Sequence, residues 1–129
     1  MRLASVTADR PAALVALFTA LSWLGEYVHN LFELPQLTLL SPENSIPALL
    51  SLVLFLTWWL TPYKRTAAAL LLVWALLHLV GGAVLSVLPL PFLPFYPEQS
   101  LQHYAAHVVY GLAQVPLIYE LGRQLWQRK

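Results

Sequence analysis

The chain has no cysteine and few charged residues. Without cysteine, disulfides, thiolate metal sites and thiol redox chemistry are excluded. Only 10% of the 129 residues are charged and 59% are hydrophobic, whereas a typical globular domain is about a quarter charged and about half apolar. The net charge of +1 does not suggest a nucleic-acid partner. Together with a mean hydropathy of +0.65, this composition predicts an integral membrane protein in contact with a lipid bilayer.

Four apolar segments are predicted to be membrane-spanning helices, each of which needs roughly 20 mostly apolar residues. They cover about residues 11–32, 46–61, 65–88 and 99–121. Four of the ten prolines lie in "PLPFLPFYPE", which predicts an extended outer loop over residues 89–98. Pro47 is expected at the start of the second helix, with Asn44 or Ser45 as its cap. The prediction is a single transmembrane domain over residues 1–129, all-α, folded as an antiparallel four-helix bundle.

The basic residues all fall on one side of these predicted spans: Arg2, Arg10, Lys64, Arg65, Arg123, Arg128 and Lys129. The other side carries Glu33, Glu43 and Glu98, interpreted as solvated loop charges. Because loops rich in Lys and Arg stay in the cytoplasm, both termini are predicted to be cytoplasmic. Reading residues 1–24 as a cleaved signal peptide is disfavoured, because no A-x-A site follows and three spans would break the charge pattern. The absence of a eukaryotic targeting signal favours a bacterial inner membrane.

Five ionisable residues lie inside the predicted spans, away from their ends: Glu26, His29, His78, His103 and His107. At a rise of ~1.5 Å per residue, all five lie in one layer in the outer half of the membrane. Helical spacing places Asn30 on the face of Glu26, and Tyr110 and Gln114 on the stripe of the two histidines in the fourth span. Because an unpaired ionisable group is costly in hydrocarbon, these eight residues are predicted to form a ligand-binding site.

Residue spacing in this layer favours a metal ion held by Glu26 and the four histidines. The segment "HYAAH" has the i, i+4 histidine spacing that chelates an ion on a helix, and "EYVH" has the Glu-x-x-His spacing of di-iron bundles. One carboxylate with four imidazoles suits a transition metal such as Zn, Fe or Cu, and a paired di-iron centre is disfavoured. A single haem between two histidines is a weaker alternative.

The same layer of ionisable residues is also consistent with functions other than metal binding. One is a pocket for a quinone, a sterol-like lipid or another small amphiphile, in which Glu26 and a histidine act as acid and base. A second hypothesis is a non-catalytic accessory or assembly subunit of a larger membrane complex, or a homo-oligomer, in which the cluster only holds the helices together. Interhelical hydrogen bonds in membranes contribute only ~0.6 kcal/mol on average, which favours a ligand site. No motif indicates a particular reaction.

Overall fold

The fold is known from a computed structural model that describes residues 3–127, with side chains described from residue 10 onward. Within that part of the chain the protein is all-helical, with no strand, so the all-α prediction is confirmed. The four α-helices are α1 Leu3–Glu33, α2 Pro42–Leu60, α3 Lys64–Leu77 and α4 Leu101–Trp126. α3 continues into a π-helical segment, His78–Val84, and a 3₁₀ turn, Leu85–Val87.

Several helix boundaries differ from the predicted ones. α1 begins at Leu3 rather than near residue 11, and α4 continues to Trp126 rather than ending near residue 121. α2 begins at Pro42, with Ser41 in the N-cap position, so the prediction of Asn44 or Ser45 as the cap is wrong. Pro42 is tolerated there because the first turn of a helix has no partner for a backbone N–H, whereas Pro47 lies inside α2 and not at its start as predicted. The Asn44 side chain is buried and bonds to other groups instead.

Three helical segments among the described residues are long and apolar enough to cross a membrane: Arg10–Glu33, Pro42–Leu60 and Lys64–Val87. In a water-soluble protein such segments would turn one apolar face to a core, whereas here large apolar side chains also cover the outside. Leu17, Leu49 and Leu77, one from each segment, are all about 60% exposed (61%, 61% and 59%). This distribution is consistent with a surface that contacts lipid.

The four helices enclose an interior that is apolar at one end and polar at the other. α1 and α3 each pack against both α2 and α4, and the π-helical segment packs against α4. The apolar end is built around Val15, Leu71, Leu117 and Leu121, which are at most 1% exposed. The polar end lies where α1 ends, where α2 and α4 begin, and beside the π-helical segment. We call it the loop end, because the two longer connections lie there.

The contact between α1 and α4 follows a repeat of four and three residues. Along α1, Val15, Thr19, Ser22 and Glu26 are buried, and along α4 the buried positions include His107, Tyr110, Gln114, Leu117 and Leu121. This spacing is that of a coiled-coil seam, in which each step keeps the same face toward the neighbouring helix. The two helices run in opposite directions, since Ser22 contacts Gln114 whereas Glu33 contacts His103.

Candidate functional site

Polar side chains continue this seam in four successive levels from the middle of the bundle to the loop end. Three levels are pairs and one is a group of three: Ser22 with Gln114, Glu26 with His78 and Tyr110, His29 with His107, and Glu33 with His103. Each level is one step of three or four residues from the next on both helices. All eight predicted site residues therefore lie in or beside one seam, but they do not converge on one point.

At the level in the middle of the bundle, the Gln114 amide is hydrogen-bonded to Ser22. Gln114 is completely buried; its Oε1 accepts a hydrogen bond from the Ser22 hydroxyl. Its Nε2 donates to the backbone carbonyls of Ser22 at 2.9 Å and Tyr110 at 3.2 Å. Because these bonds occupy both ends of the amide, Gln114 connects the two helices and offers little to a ligand.

The second level joins three helical elements. The Tyr110 hydroxyl is hydrogen-bonded to His78 Nδ1, and Glu26 Oε2 lies 3.8 Å from the same nitrogen. No hydrogen-bond partner of Glu26 Oε2 is found among the described residues, although the oxygen is buried. His78 is the first residue of the π-helical segment, and the ring of Trp74 stands edge-on to it with centroids 4.6 Å apart. π turns occur frequently at functional sites.

At the third level, a chain of amides determines which nitrogen of His29 carries the proton. Asn44 Nδ2 donates to the backbone carbonyl of Thr38 at 2.8 Å, which makes Asn44 Oδ1 the acceptor for Asn30 Nδ2, also at 2.8 Å. Asn30 Oδ1 therefore faces His29 Nδ1, 3.0 Å away. Since an amide oxygen only accepts, His29 Nδ1 is the donor and, in the neutral ring, Nε2 keeps its lone pair.

His107 has the same tautomer for a simpler reason. Its Nδ1 lies 2.9 Å from the backbone carbonyl oxygen of Ala83, which can only accept, so Nδ1 carries the proton. The Nε2 lone pair of His107 then faces Nε2 of His29 at 3.0 Å. Two lone pairs at this distance repel each other unless a proton or a metal ion lies between them.

The fourth level corrects one prediction. Glu33 was expected to be a solvated loop charge, but its side chain is only 10% exposed and its Oε2 accepts a hydrogen bond from His103 Nδ1 at 2.6 Å. Glu33 is the last residue of α1 and continues the spacing of Ser22, Glu26 and His29, so the same repeat identifies it. Glu43 and Glu98 are exposed, as expected.

These side chains border a cavity of about 370 Å³ at the loop end. Its polar wall is formed by the three histidines of the upper levels, Glu33 and Ser86, and its apolar wall by Leu34, Phe95 and Pro97. The ring centroid of His107 lies 4.4 Å from that of His29 and 4.6 Å from that of His103. We call this space the histidine cavity.

The predicted metal-ligand set is divided between levels. His29, His103 and His107 border the histidine cavity, whereas Glu26 and His78 lie one level lower with Tyr110. Asn30 orients His29. In the described part of the chain, the ligand atoms of three acidic or histidine side chains come within 4.8 Å of one another at Glu33, Glu98 and His103. Only His103 of this group belongs to the predicted metal set.

Comparison of the chain with protein-family models, curated proteins and solved structures gives no match.

Proposed function

We propose that this chain is an integral membrane protein with four spans whose histidine cavity binds one transition-metal ion. Three spans are supported by the length and hydropathy of α1, α2 and α3 with its continuation. For α4, support comes from where its polar residues lie. His107, Tyr110 and Gln114 are buried in the bundle, whereas Val108, Leu112 and Val115 are exposed. A helix with this arrangement presents an apolar surface to lipid despite its polar sequence.

The proposed orientation places both termini in the cytoplasm of a bacterial cell, with the loop end outside. Lys64 and Arg65 begin α3 and Arg123 lies near the end of α4. Arg65 Nη2 donates to the Leu125 carbonyl at 3.4 Å, so these basic residues belong to one end of the bundle. The concentration of Lys and Arg at this end agrees with the positive-inside rule. Three more basic residues used in the sequence argument lie outside the described residues: Arg2, Arg128 and Lys129.

The absence of cysteine makes this topology directly testable. Single cysteines are introduced at Gln36, Phe92 and Gln127, which are exposed positions in the first connection, the Pro-rich loop and the C-terminal end. Intact cells are then treated with a membrane-impermeant maleimide. The proposal expects labelling of Gln36→Cys and Phe92→Cys in intact cells, and of Gln127→Cys only after the membrane is permeabilised. Labelling of Gln127→Cys together with the other two in intact cells contradicts the proposed topology.

Metal binding is supported by one shared property of the three histidines that border the cavity, of which His29 and His107 are the proposed ligands of the ion. Each Nδ1 is hydrogen-bonded to an oxygen of the protein, which leaves each Nε2 directed to other partners. In metal sites the ligating histidine almost always donates its other N–H to a carboxylate, carbonyl or water, which fixes the ring and raises its basicity. Here the three oxygens belong to an amide, a carboxylate and a backbone carbonyl.

The facing Nε2 atoms of His29 and His107 are the observation that carries this proposal. Zn–N bonds are about 2.0–2.1 Å long, so two nitrogens 3.0 Å apart are close enough to bind one ion. Imidazole ligands suit Zn, Cu, Fe and Ni and do not suit Mg or Ca. A bound metal ion would also remove the repulsion between the two lone pairs. Glu26 and His78 are left out of the proposed ligand set because they lie at the next level.

The test is metal analysis of protein purified in a mild detergent. Wild-type protein is expected to contain about one transition-metal ion per chain, and His29→Ala and His107→Ala are expected to lose it. His78→Ala is the matched control, because it removes a buried histidine of the adjacent level and should keep the metal. A visible spectrum recorded on the same samples distinguishes a haem from a simple ion.

The accessory-subunit hypothesis predicts a different pattern. If wild-type protein contains no metal, and all three histidine variants lower only the melting temperature, the histidines serve helix packing and the metal proposal is wrong. A partner protein that co-purifies at a fixed ratio would then support an assembly role.

A further inference from the structure

Two carboxylates and one imidazole meet beside the histidine cavity. Glu33 ends α1, Glu98 lies in the Pro-rich loop, and His103 lies in the first turn of α4. One ligand atom from each comes within 4.8 Å of the other two. Three separate parts of the fold therefore bring two carboxylate oxygens and one imidazole nitrogen, all possible metal ligands, into one small volume.

The Glu33 carboxylate is incompletely satisfied at this place. Its Oε2 bonds to His103, but its Oε1 is buried and has no partner among the described residues. The side chain is only 10% exposed and borders the histidine cavity. A buried carboxylate oxygen without a partner is costly, and such a group in a folded protein calls for an explanation.

The charges around Glu33 point to a cation as the missing partner. In the part of the chain that the structure describes, Glu33 forms an ion pair with His103, whereas Glu98 forms no ion pair. When His103 is neutral, two carboxylates lie close together without a balancing positive charge. A divalent cation would neutralise both carboxylates and coordinate the free oxygen of Glu33.

We propose that Glu33, Glu98 and His103 form a second divalent-cation site beside the cavity, in which the ion takes the place of the hydrogen bond between His103 and Glu33. The inner ion is held by the His29–His107 pair without His103. Two of the three ligands of the second site are carboxylates, which suit a harder ion such as Mn²⁺, whereas the imidazoles of the inner pair suit a softer transition metal. Glu98 is exposed, so a cation reaches this site from the solution outside the bundle. This site stands on its own ligands and does not require that the inner pair binds metal.

The site is tested by titrating detergent-purified protein with Mn²⁺ and measuring the loss of the free-ion signal by electron paramagnetic resonance. The Glu98→Gln variant keeps the size of the side chain and removes its charge. It is expected to bind one Mn²⁺ fewer per chain than wild type, or to bind Mn²⁺ at least about tenfold more weakly. Loss of a residue that only orients a metal ligand already lowers metal affinity by about tenfold or more, and Glu98 is proposed as a ligand itself. Glu43→Gln, which changes another exposed carboxylate of the loop end, is expected to bind Mn²⁺ as wild type does.

A second background separates this site from the inner one. The double variant His29→Ala/His107→Ala removes the inner pair and is expected still to bind Mn²⁺, with Glu98→Gln abolishing that binding. If the double variant does not fold, the comparison of Glu98→Gln with Glu43→Gln in the otherwise wild-type chain decides. Equal Mn²⁺ binding by those two variants overturns the proposal, whether or not the inner pair holds a transition metal.

Discussion

His29 Nε2 and His107 Nε2 lie 3.0 Å apart, and in their neutral forms neither ring has a proton to place between them. Asn30 and Ala83 determine this, because each presents an oxygen to an Nδ1 and so holds the proton there. The arrangement is stable with a shared proton or with a metal ion between the rings. Protein contacts thus leave the Nε2 lone pairs of both rings directed at each other, as the proposed metal site requires.

Asn30→Ala should weaken metal binding without removing a ligand. Loss of the Asn30 oxygen frees His29 to move its proton to Nε2 and to rotate, so the affinity for Zn²⁺ should fall by about 10- to 100-fold. A competition titration against a coloured chelator measures the change. Asn44→Ala should have a similar effect, because Asn44 orients Asn30 through a hydrogen bond of 2.8 Å.

The two asparagine substitutions should not be additive. If Asn44 acts only through Asn30, the double variant should bind Zn²⁺ as weakly as Asn30→Ala alone. Ser45→Ala, a neighbour of Asn44 on α2, is the control and should bind as wild type does. An unchanged affinity in Asn30→Ala would show that the tautomer of His29 does not matter for binding.

Gly82→Ala should disturb the contact between Tyr110 and His78. A Cβ atom at Gly82 would lie 2.6 Å from the Tyr110 hydroxyl oxygen, so the ring must move away from its hydrogen bond. Overpacking of this kind typically costs about 1–3 kcal/mol. The free energy of unfolding in a denaturing detergent, followed by tryptophan fluorescence, measures it.

The adjacent glycine provides a matched control for that experiment. A Cβ atom at Gly81 meets nothing within 4 Å, so Gly81→Ala should be neutral or slightly stabilising, since alanine favours helices. If the two substitutions change the free energy of unfolding equally, close approach of Tyr110 is not what requires glycine at position 82.

Gln114→Leu should lower stability without loss of metal. The substitution keeps the size of the side chain but removes its hydrogen bonds to Ser22 on α1. Interhelical hydrogen bonds in membrane proteins average ~0.6 kcal/mol and reach ~1.7 kcal/mol, so a loss within about that range is expected in the same unfolding assay. Gln102→Leu, at an exposed position of α4, should change stability little.

The helices were predictable because a long apolar segment in lipid must satisfy its own backbone hydrogen bonds, which a helix does within one segment. The faces of α1 and α4 were also predictable from spacing, which correctly grouped Glu26 with His29 and His103 with His107. Glu33 was missed because it lies at the end of a span, where a charge is ordinarily solvated. Its place in the repeat of α1 is the signal that identifies it as part of the seam.

Depth alone did not separate the ionisable residues into levels. Glu26 and His29 differ by three residues, or about 4.5 Å along the axis, which is within the uncertainty of a predicted span. That distance is nevertheless enough to give them different partners, His78 with Tyr110 in one case and His107 in the other.

Hydropathy and helical period are local properties of the chain. The helices, their apolar outer surface and the concentration of ionisable groups toward one end therefore follow from the order of the residues alone. No local pattern shows that the oxygens of Asn30 and Ala83 face Nδ1 of His29 and His107, or that Glu33 meets Glu98 and His103, because the packing of the helices creates these contacts. Those relationships depend on the rotation and separation of helices distant in the chain. Differences of a few ångströms there decide whether two groups repel, bond or coordinate.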